Sequence, residues 1–204
     1  VGPLAARLSG LDRQWGPDIP GRRSSAVLAL LSADDDPQLL LTLRDPGLAH
    51  HGGQISLPGG GREELDRSPA DTACRETYEE IGLPPARIDL IGQMDSRGLP
   101  VSRNQVVPVV GLWSGHDELG IDTTEVEQVL FWPVSLLADP AYRMTARHRS
   151  GYSGPAWQID ELFLWGFTAQ LVDALLELGG WAGPWDGGRT TDVPPRFLGF
   201  NSEV

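Results

Sequence analysis

Between Ser68 and Pro85 the chain has room for one short helix and little else. Ser68 is a residue type whose side-chain oxygen caps a helix N-terminus, Pro69 suits the first helical position, and Asp71 is favoured near the positive end of the helix dipole. Gly82 can take the left-handed conformation that closes a helix, and Pro84-Pro85 cannot continue one. The signals predict a helix over roughly 69–81. Its last turns read Arg75-Glu76-Thr77-Tyr78-Glu79-Glu80, three carboxylates within little more than one turn. At about 100° per residue, Glu79 lies about 60° to one side of Glu76 and Glu80 about 40° to the other, so the three share one arc. Ala70, Cys74, Thr77, Tyr78 and Ile81 make the opposite face, expected to pack against a sheet.

Like charges at these spacings repel. A solvated acidic face is the commonplace explanation. Here, however, the glycine run Gly59-Gly60-Gly61 stands upstream and Arg75 directly precedes the acids. Carboxylate oxygen is the donor preferred by hard cations such as Mg²⁺ or Mn²⁺, whose remaining shell is commonly filled by water and substrate phosphate. Glu76, Glu79 and Glu80 are therefore expected metal ligands in a phosphate-handling site. Gly59 and Gly60 would let backbone approach a ligand closely, and Gly60 would offer its carbonyl to the metal.

Residues 59–83 resemble the signature of the Nudix hydrolases, G-x5-E-x7-R-E-U-x-E-E-x-G-U with U aliphatic. Arg75, Glu76, Glu79, Glu80, Gly82 and Leu83 match it. Thr77 replaces an aliphatic residue, and its methyl group can still pack. Counted from Gly61, the upstream Glu position falls on Arg67; a one-residue insertion gives Asp66 that role, usually pairing with the arginine of the box. The segment 40–60, LLTLRDPGLAHHGGQISLPGG, is similar to the stretch preceding the box in the coenzyme A pyrophosphatases of this superfamily. Leu40, Leu41, Thr42, Arg44, Gly53, Pro58, Gly59 and Gly60 match; Asp45, Ala49 and Leu57 stand where a small residue, an arginine and a phenylalanine are usual. The arginine missing at 49 weighs against coenzyme A in particular, not against diphosphate hydrolysis.

The likeness covers roughly 24–170. It implies an α/β chain with the Nudix-type α/β/α sandwich, a mixed β-sheet between helices. It also implies metal-dependent hydrolysis of the diphosphate bond of coenzyme A or its derivatives, giving 4′-phosphopantetheine (or its acyl form) and adenosine 3′,5′-bisphosphate. Another nucleoside diphosphate derivative, such as ADP-ribose or a dinucleotide, is the alternative substrate, with Ala49 and the stretch 95–105 as the places of divergence. A non-catalytic binding module of the same fold is a third reading, against which the retained trio of repelling acids argues. Arg75 is expected to orient a neighbouring carboxylate. In this superfamily the general base is a box glutamate or a loop acid, and Glu125 is preferred to Glu127 because it stands earlier in the loop. Arg44 and His51 are the expected substrate contacts with Gly59 and Gly60; His50, Arg62, Arg97, Arg103 and Arg147 are weaker candidates, and His116 and His148 have no supporting context.

Sixteen Lys and Arg against 28 Asp and Glu leave a net charge of −12, which argues against nucleic-acid binding driven by counterion release. One cysteine, Cys74, excludes an internal disulfide or a cysteine zinc cluster and reads as a small buried hydrophobe. No apolar run is long enough for a membrane span, and the first residues lack the profile of a secretory leader, so a reducing cytoplasm is expected. A homodimer is compatible with the sequence. The length of 204 residues fits one Nudix domain over 1–204, ending in a Gly/Pro-rich tail from 182 to 204 that reads as a surface strap or a flexible end. Apolar periodicity predicts a helix over 3–15, strands over 25–32, 38–44, 89–96, 105–113, 128–134 and 156–165, and a helix over 166–179.

Overall fold

The computed structural model describes residues 2–12, 14–48, 51–99, 103–115 and 118–198. His50, Ala49 and His116 lie outside them. In chain order the elements begin with α1 (Gly2–Ala5), β1 (Arg23–Ser32), β2 (Gln38–Arg44), β3 (Ile55–Ser56), β4 (Gly59–Gly61) and α2 (Pro69–Ile81). Then come β5 (Asp89–Gln93), β6 (Arg97–Leu99), β7 (Asn104–Trp113), β8 (Val126–Pro133) and α3 (Val134–Ala138). The last are β9 (Arg143–Arg147), β10 (Ser153–Ile159), β11 (Leu162–Leu164), α4 (Gly166–Gly179) and β12 (Thr190–Asp192). They gather into two compact units interleaved in sequence, Val1–Asp35 with Leu57–Asp122, and Asp36–Ser56 with Thr123–Val204. No helix among the described residues is long and apolar enough to cross a membrane.

The first unit is a mixed sheet with α2 against it. β1 and β7 run parallel along their whole length, from Arg23↔Asn104 to Ser32↔Trp113. β5 and β6 pair antiparallel with β7, and β4 pairs antiparallel with Ser25–Val27 of β1. Ala26 and Leu28 to Leu31 are almost wholly buried, the near-continuous apolar run of a strand covered on both faces. α2 packs on β1, β4 and β7. The helix expected over 3–15 is absent: only Gly2–Ala5 is helical, with Leu4 buried. Ser9 instead pairs with Gln93 of β5, so backbone pairing at Ser9 wins over the spacing of Leu4, Leu8, Leu11 and Trp15.

In the second unit β2 pairs antiparallel with β3 and β8. A separate sheet runs β11-β10-β9-β12, and α4 packs on β10. The strand expected over 156–165 is a hairpin, because Asp160 takes a left-handed conformation (φ 50°) that turns the chain between Ile159 and Leu162. The stretch 182–198, read from its composition as a surface strap or a flexible end, carries β12. β12 pairs parallel with β9, and Val193 and Phe197 are buried with Met144, Ala146, Ala156 and Phe163. Trp185, from the same stretch, stacks on the guanidinium of the buried Arg143 at 4.5 Å, opposite Trp157 at 4.9 Å, and Arg143 bonds Asp173 of α4.

The ends of α2 are as expected from the sequence. Asp71 N–H donates to Ser68 Oγ at 3.2 Å, Ser68 N–H donates back to Asp71 Oδ2 at 3.0 Å, and Gly82, with φ 69°, donates its N–H to Tyr78 O at 2.8 Å. A side chain on Gly82 would also strike the backbone of Gly120, whose N–H bonds Ile81 O. Gly82→Ala is therefore expected to cost at least about 1 kcal/mol, above the ordinary penalty for left-handed alanine, as measured by urea unfolding.

Candidate active site

Burial along α2 corrects one expectation and sharpens another. Pro69, Thr72, Ala73, Thr77, Glu80 and Ile81 form the buried stripe, whereas Tyr78, expected inside, is 54% exposed. The stripe steps by three and four residues, the spacing of a helix face laid on a sheet. Glu80 falls on it and the half-buried Glu76 flanks it, at positions where such a helix ordinarily carries apolar side chains. Glu80 is only 4% exposed. Thr77 is fully buried and donates its hydroxyl to Ala73 O at 2.7 Å, so its methyl packs in place of an aliphatic residue. Cys74 is buried as expected; burial first, and the charge of Asp71 second, push its thiol up to about 11.

The glycine run is a short strand. Gly59 and Gly60 lie opposite Val27 and Ala26 of β1, and Pro58 O accepts from Leu28 N–H at 2.8 Å. Gly59, at φ 151°, brings its backbone against β1 so closely that a side chain would collide with Ala26 O and Val27 Cα. At Gly60 the space a Cβ would fill is taken by the carboxylate of Glu76. The β4 backbone and the helix carboxylate are thus in direct apposition.

Arg75 is the charge centre. Its Nε and Nη2 donate to the two oxygens of Asp66 at 3.2 and 3.0 Å, a bidentate pair. Nη2 also reaches Glu76 Oε1 at 3.0 Å and Gly61 O at 2.8 Å, while Nη1 donates to Glu79 Oε2 at 2.8 Å. Asp66, 5% exposed, accepts further from Thr72 Oγ1 at 2.8 Å and from Glu63 N–H at 2.9 Å. The residue displaced by one place in the loop is therefore the one that pairs with the box arginine. Burial alone would raise the carboxyl of Asp66. The bonds from Arg75, Glu63 N–H and Thr72, with the charge of Arg75, outweigh it and hold the group below its ordinary range. The Asp66 bond likewise raises the guanidinium of Arg75, against burial and with help from Glu76, so Arg75 stays charged.

The predicted metal ligands divide. Glu80 stands on the inward stripe, Glu76 lies against Gly60 and bonds Arg75, and Glu79, with a side chain 55% exposed, also turns to Arg75. Among the described residues no three His, Cys, Asp or Glu side chains are gathered in cation-holding geometry. By donor type Glu76, Glu80 and the backbone at Gly60 fit a hard divalent cation: all offer oxygen, and two carry charge.

Arg44, His51 and Glu125 belong to the second unit, where the structure brings them to one end of β2 and β8. Arg44 pairs with Val126 across a bulge, Asp45 N–H donates to Glu125 O at 2.9 Å, and Gly53 N–H closes the intervening loop onto Arg44 O at 3.0 Å. His51 is exposed, with φ 58°, and its Nδ1 bonds Gln54 Oε1 at 3.0 Å. Glu127 is exposed on β8. Of the weaker phosphate candidates, Arg62 pairs with Asp18 at 3.2 Å and Arg147 lies 3.8 Å from Asp192. Sequence reasoning missed Thr72 and Gln54, which act only through side chains that the fold brings to them.

A NUDIX domain model matches residues 22–153. The chain is 34% identical over 168 residues to an uncharacterised Nudix hydrolase, NudL, of Pectobacterium atrosepticum, covering 76% of this chain and 81% of the relative. It is also 34% identical over 164 residues to the protein of that name from Escherichia coli K12, covering 77% and 83%. Among solved structures, RenU, a Nudix hydrolase of M. smegmatis, superposes with a TM-score of 0.57 at 18% identity, over 88% of this chain and 98% of that one. The chain belongs to the Nudix hydrolase family, and its fold is the α/β Nudix fold.

Asp66 supplies a pH test of the Arg75 centre. A carboxyl held low in the folded state contributes stability that is present above its unfolded value of about 3.9 and is lost as pH falls through the folded value. Asp66→Asn is expected to lose about 1.5–3 kcal/mol at neutral pH and to show a shallower decline of stability on acidification than the wild type, in urea titrations from neutral to acid pH.

Proposed function

We propose that this chain is a metal-dependent hydrolase of the diphosphate bond of coenzyme A or its derivatives, acting as one Nudix domain. The observation that carries the hydrolytic reading is the pairing of a buried Glu80 with Glu76 one turn before it on α2, the Glu76 carboxylate lying against Gly60. These oxygen donors suit the divalent metal that the family generally uses, here Mg²⁺ or Mn²⁺.

A bound divalent ion supplies Lewis acidity toward diphosphate oxygens and lowers the pKa of a coordinated water. Glu76, Glu80 and the carbonyl of Gly60 would hold it, with Glu79 as a further ligand once released by Arg75. Arg75 keeps Glu76 oriented through its anchorage on Asp66. Glu125 is the proposed acceptor of the proton from the attacking water. Arg44 and His51, with the glycine backbone at 59 and 60, are the proposed substrate contacts. The coenzyme A reading is supported by the segment 40–60, which runs through β2, the loop closed on Arg44, and β3 to β4.

Ala49, in place of the usual arginine, favours a second reading, hydrolysis of ADP-ribose or a dinucleotide. Incubation with coenzyme A, ADP-ribose, NADH and diadenosine polyphosphates, each with Mg²⁺ or Mn²⁺, separates the two by product mass. Formation of 4′-phosphopantetheine and adenosine 3′,5′-bisphosphate is expected. Cleavage of ADP-ribose with coenzyme A untouched would reject the coenzyme A reading.

Glu80→Gln keeps the size of a buried side chain and removes its charge. It is expected to lower kcat at least about a hundredfold with a melting temperature close to wild type. Undiminished turnover would remove Glu80 from the metal site.

A further inference from the structure

The C-terminal stretch, beyond the residues matched by the family model, reaches back to the loop that carries His51. Gln54 Nε2 donates to the carbonyl of Phe197 at 3.1 Å, and Gln54 Oε1 faces His51 Nδ1 at 3.0 Å. The geometry points to Gln54 as a positioning residue that lets residues 195–198 set the tautomer and orientation of His51. The inference rests on the substrate role proposed above for His51.

Each step follows from donor and acceptor chemistry. A peptide carbonyl only accepts, so the amide NH₂ of Gln54 must face Phe197 and its carbonyl oxygen must face His51. That oxygen also only accepts. The proton of the neutral imidazole is therefore on Nδ1, which leaves the lone pair on Nε2 as the atom open to a ligand. The protonated ring satisfies the same bond and presents an Nε2–H donor instead. His51 is exposed and holds a left-handed conformation, and its ring bonds Gln54 through Nδ1.

The far end of the relay is rigid. Phe197 is 6% exposed and packs its ring 5.7 Å from that of Phe163, among Met144, Ala146, Ala156 and Val193. Arg196 donates to Glu161 O at 3.2 Å, tying the same turn to the β10–β11 hairpin. The near end is compact as well. A side chain on Gly52 would strike the carbonyls of Asp45, Pro46 and Leu48, and Gln54 N–H bonds His51 O at 3.2 Å. The loop that follows Arg44 thus rests on the C-terminal sheet through Gln54.

The test reads the tautomer directly, in the full chain and without substrate. Long-range ¹H–¹⁵N correlations at about pH 8 distinguish Nδ1–H from Nε2–H for a neutral ring, with His51 assigned by its loss in His51→Asn. The wild type is expected in the Nδ1–H form. Gln54→Met keeps the length and drops both polar groups; it should release His51 to a tautomer mixture. With coenzyme A, Gln54→Met should raise KM about two- to tenfold, the weight of one hydrogen bond, and change kcat less. An Nε2–H ring in the wild type, or an unchanged tautomer in Gln54→Met, overturns the inference even if no substrate is turned over. A tautomer shift with KM unmoved overturns the substrate role of His51 and with it the positioning role.

Discussion

One guanidinium makes the rest of this site tenable. Arg75 touches Asp66, Glu76, Glu79 and the carbonyl of Gly61, so it links the loop before α2, the helix and β4 in a single hydrogen-bonded centre. Three acids on one arc would repel one another and fray the last turns of α2. Arg75 offsets that repulsion in the metal-free chain. It is itself held from behind by Asp66, which Thr72 and the Glu63 N–H lock in place. Farther out, Trp15 N–H bonds Arg67 O and Arg62 lies over the Trp15 ring, so the N-terminal segment braces the same loop. A lysine could not replace Arg75. Its ammonium is a point donor and could not present a planar fork to Asp66 while reaching both Glu76 and Glu79.

The helix also gives up core positions for chemistry. Ala73, Thr77, Ile81 and, just past the cap, Leu83 are buried, and they carry the packing of α2 on its sheet. Glu80 shares that stripe, Glu76 flanks it, and neither contributes apolar area. The ends compensate: a complete capping box at Ser68 and a left-handed glycine at 82 make the helix form with less help from its face. Gly60 extends the same economy to the strand, since any side chain there would displace the Glu76 carboxylate. Local helix signals are strong here because the buried face is weak.

That balance explains what could be read from the sequence. The boundaries of α2 were legible because caps are local, and β1, β2, β7, β8 and α4 because their apolar patterns are long. β4 and β12 are three residues each and exist only through partners distant in sequence. The amphipathic spacing over 3–15 misled because it ignored the pairing of Ser9 with Gln93. In the site, Asp66 was legible once the loop was allowed one extra residue. The placing of Tyr78 inside failed because the carboxylate stripe itself turns toward the sheet. Gln54 could not be found from sequence, since its partner carbonyl lies 143 residues away.

The charge of the chain bears on how such a site would meet a polyanion. With a net charge of −12, the long-range field repels a diphosphate. Several arginines already face carboxylates within the protein: Arg62 with Asp18, Arg75 with Asp66, Arg143 with Asp173 and Arg196 with Glu161. Their charge is largely spent on structure. Attraction must then act at short range, inside the Debye length of about 8 Å at physiological salt. A divalent ion, if held by Glu76 and Glu80 as proposed, would shift the local charge by two and supply that short-range attraction, while the acidic surface would disfavour polyanions that present no group for it.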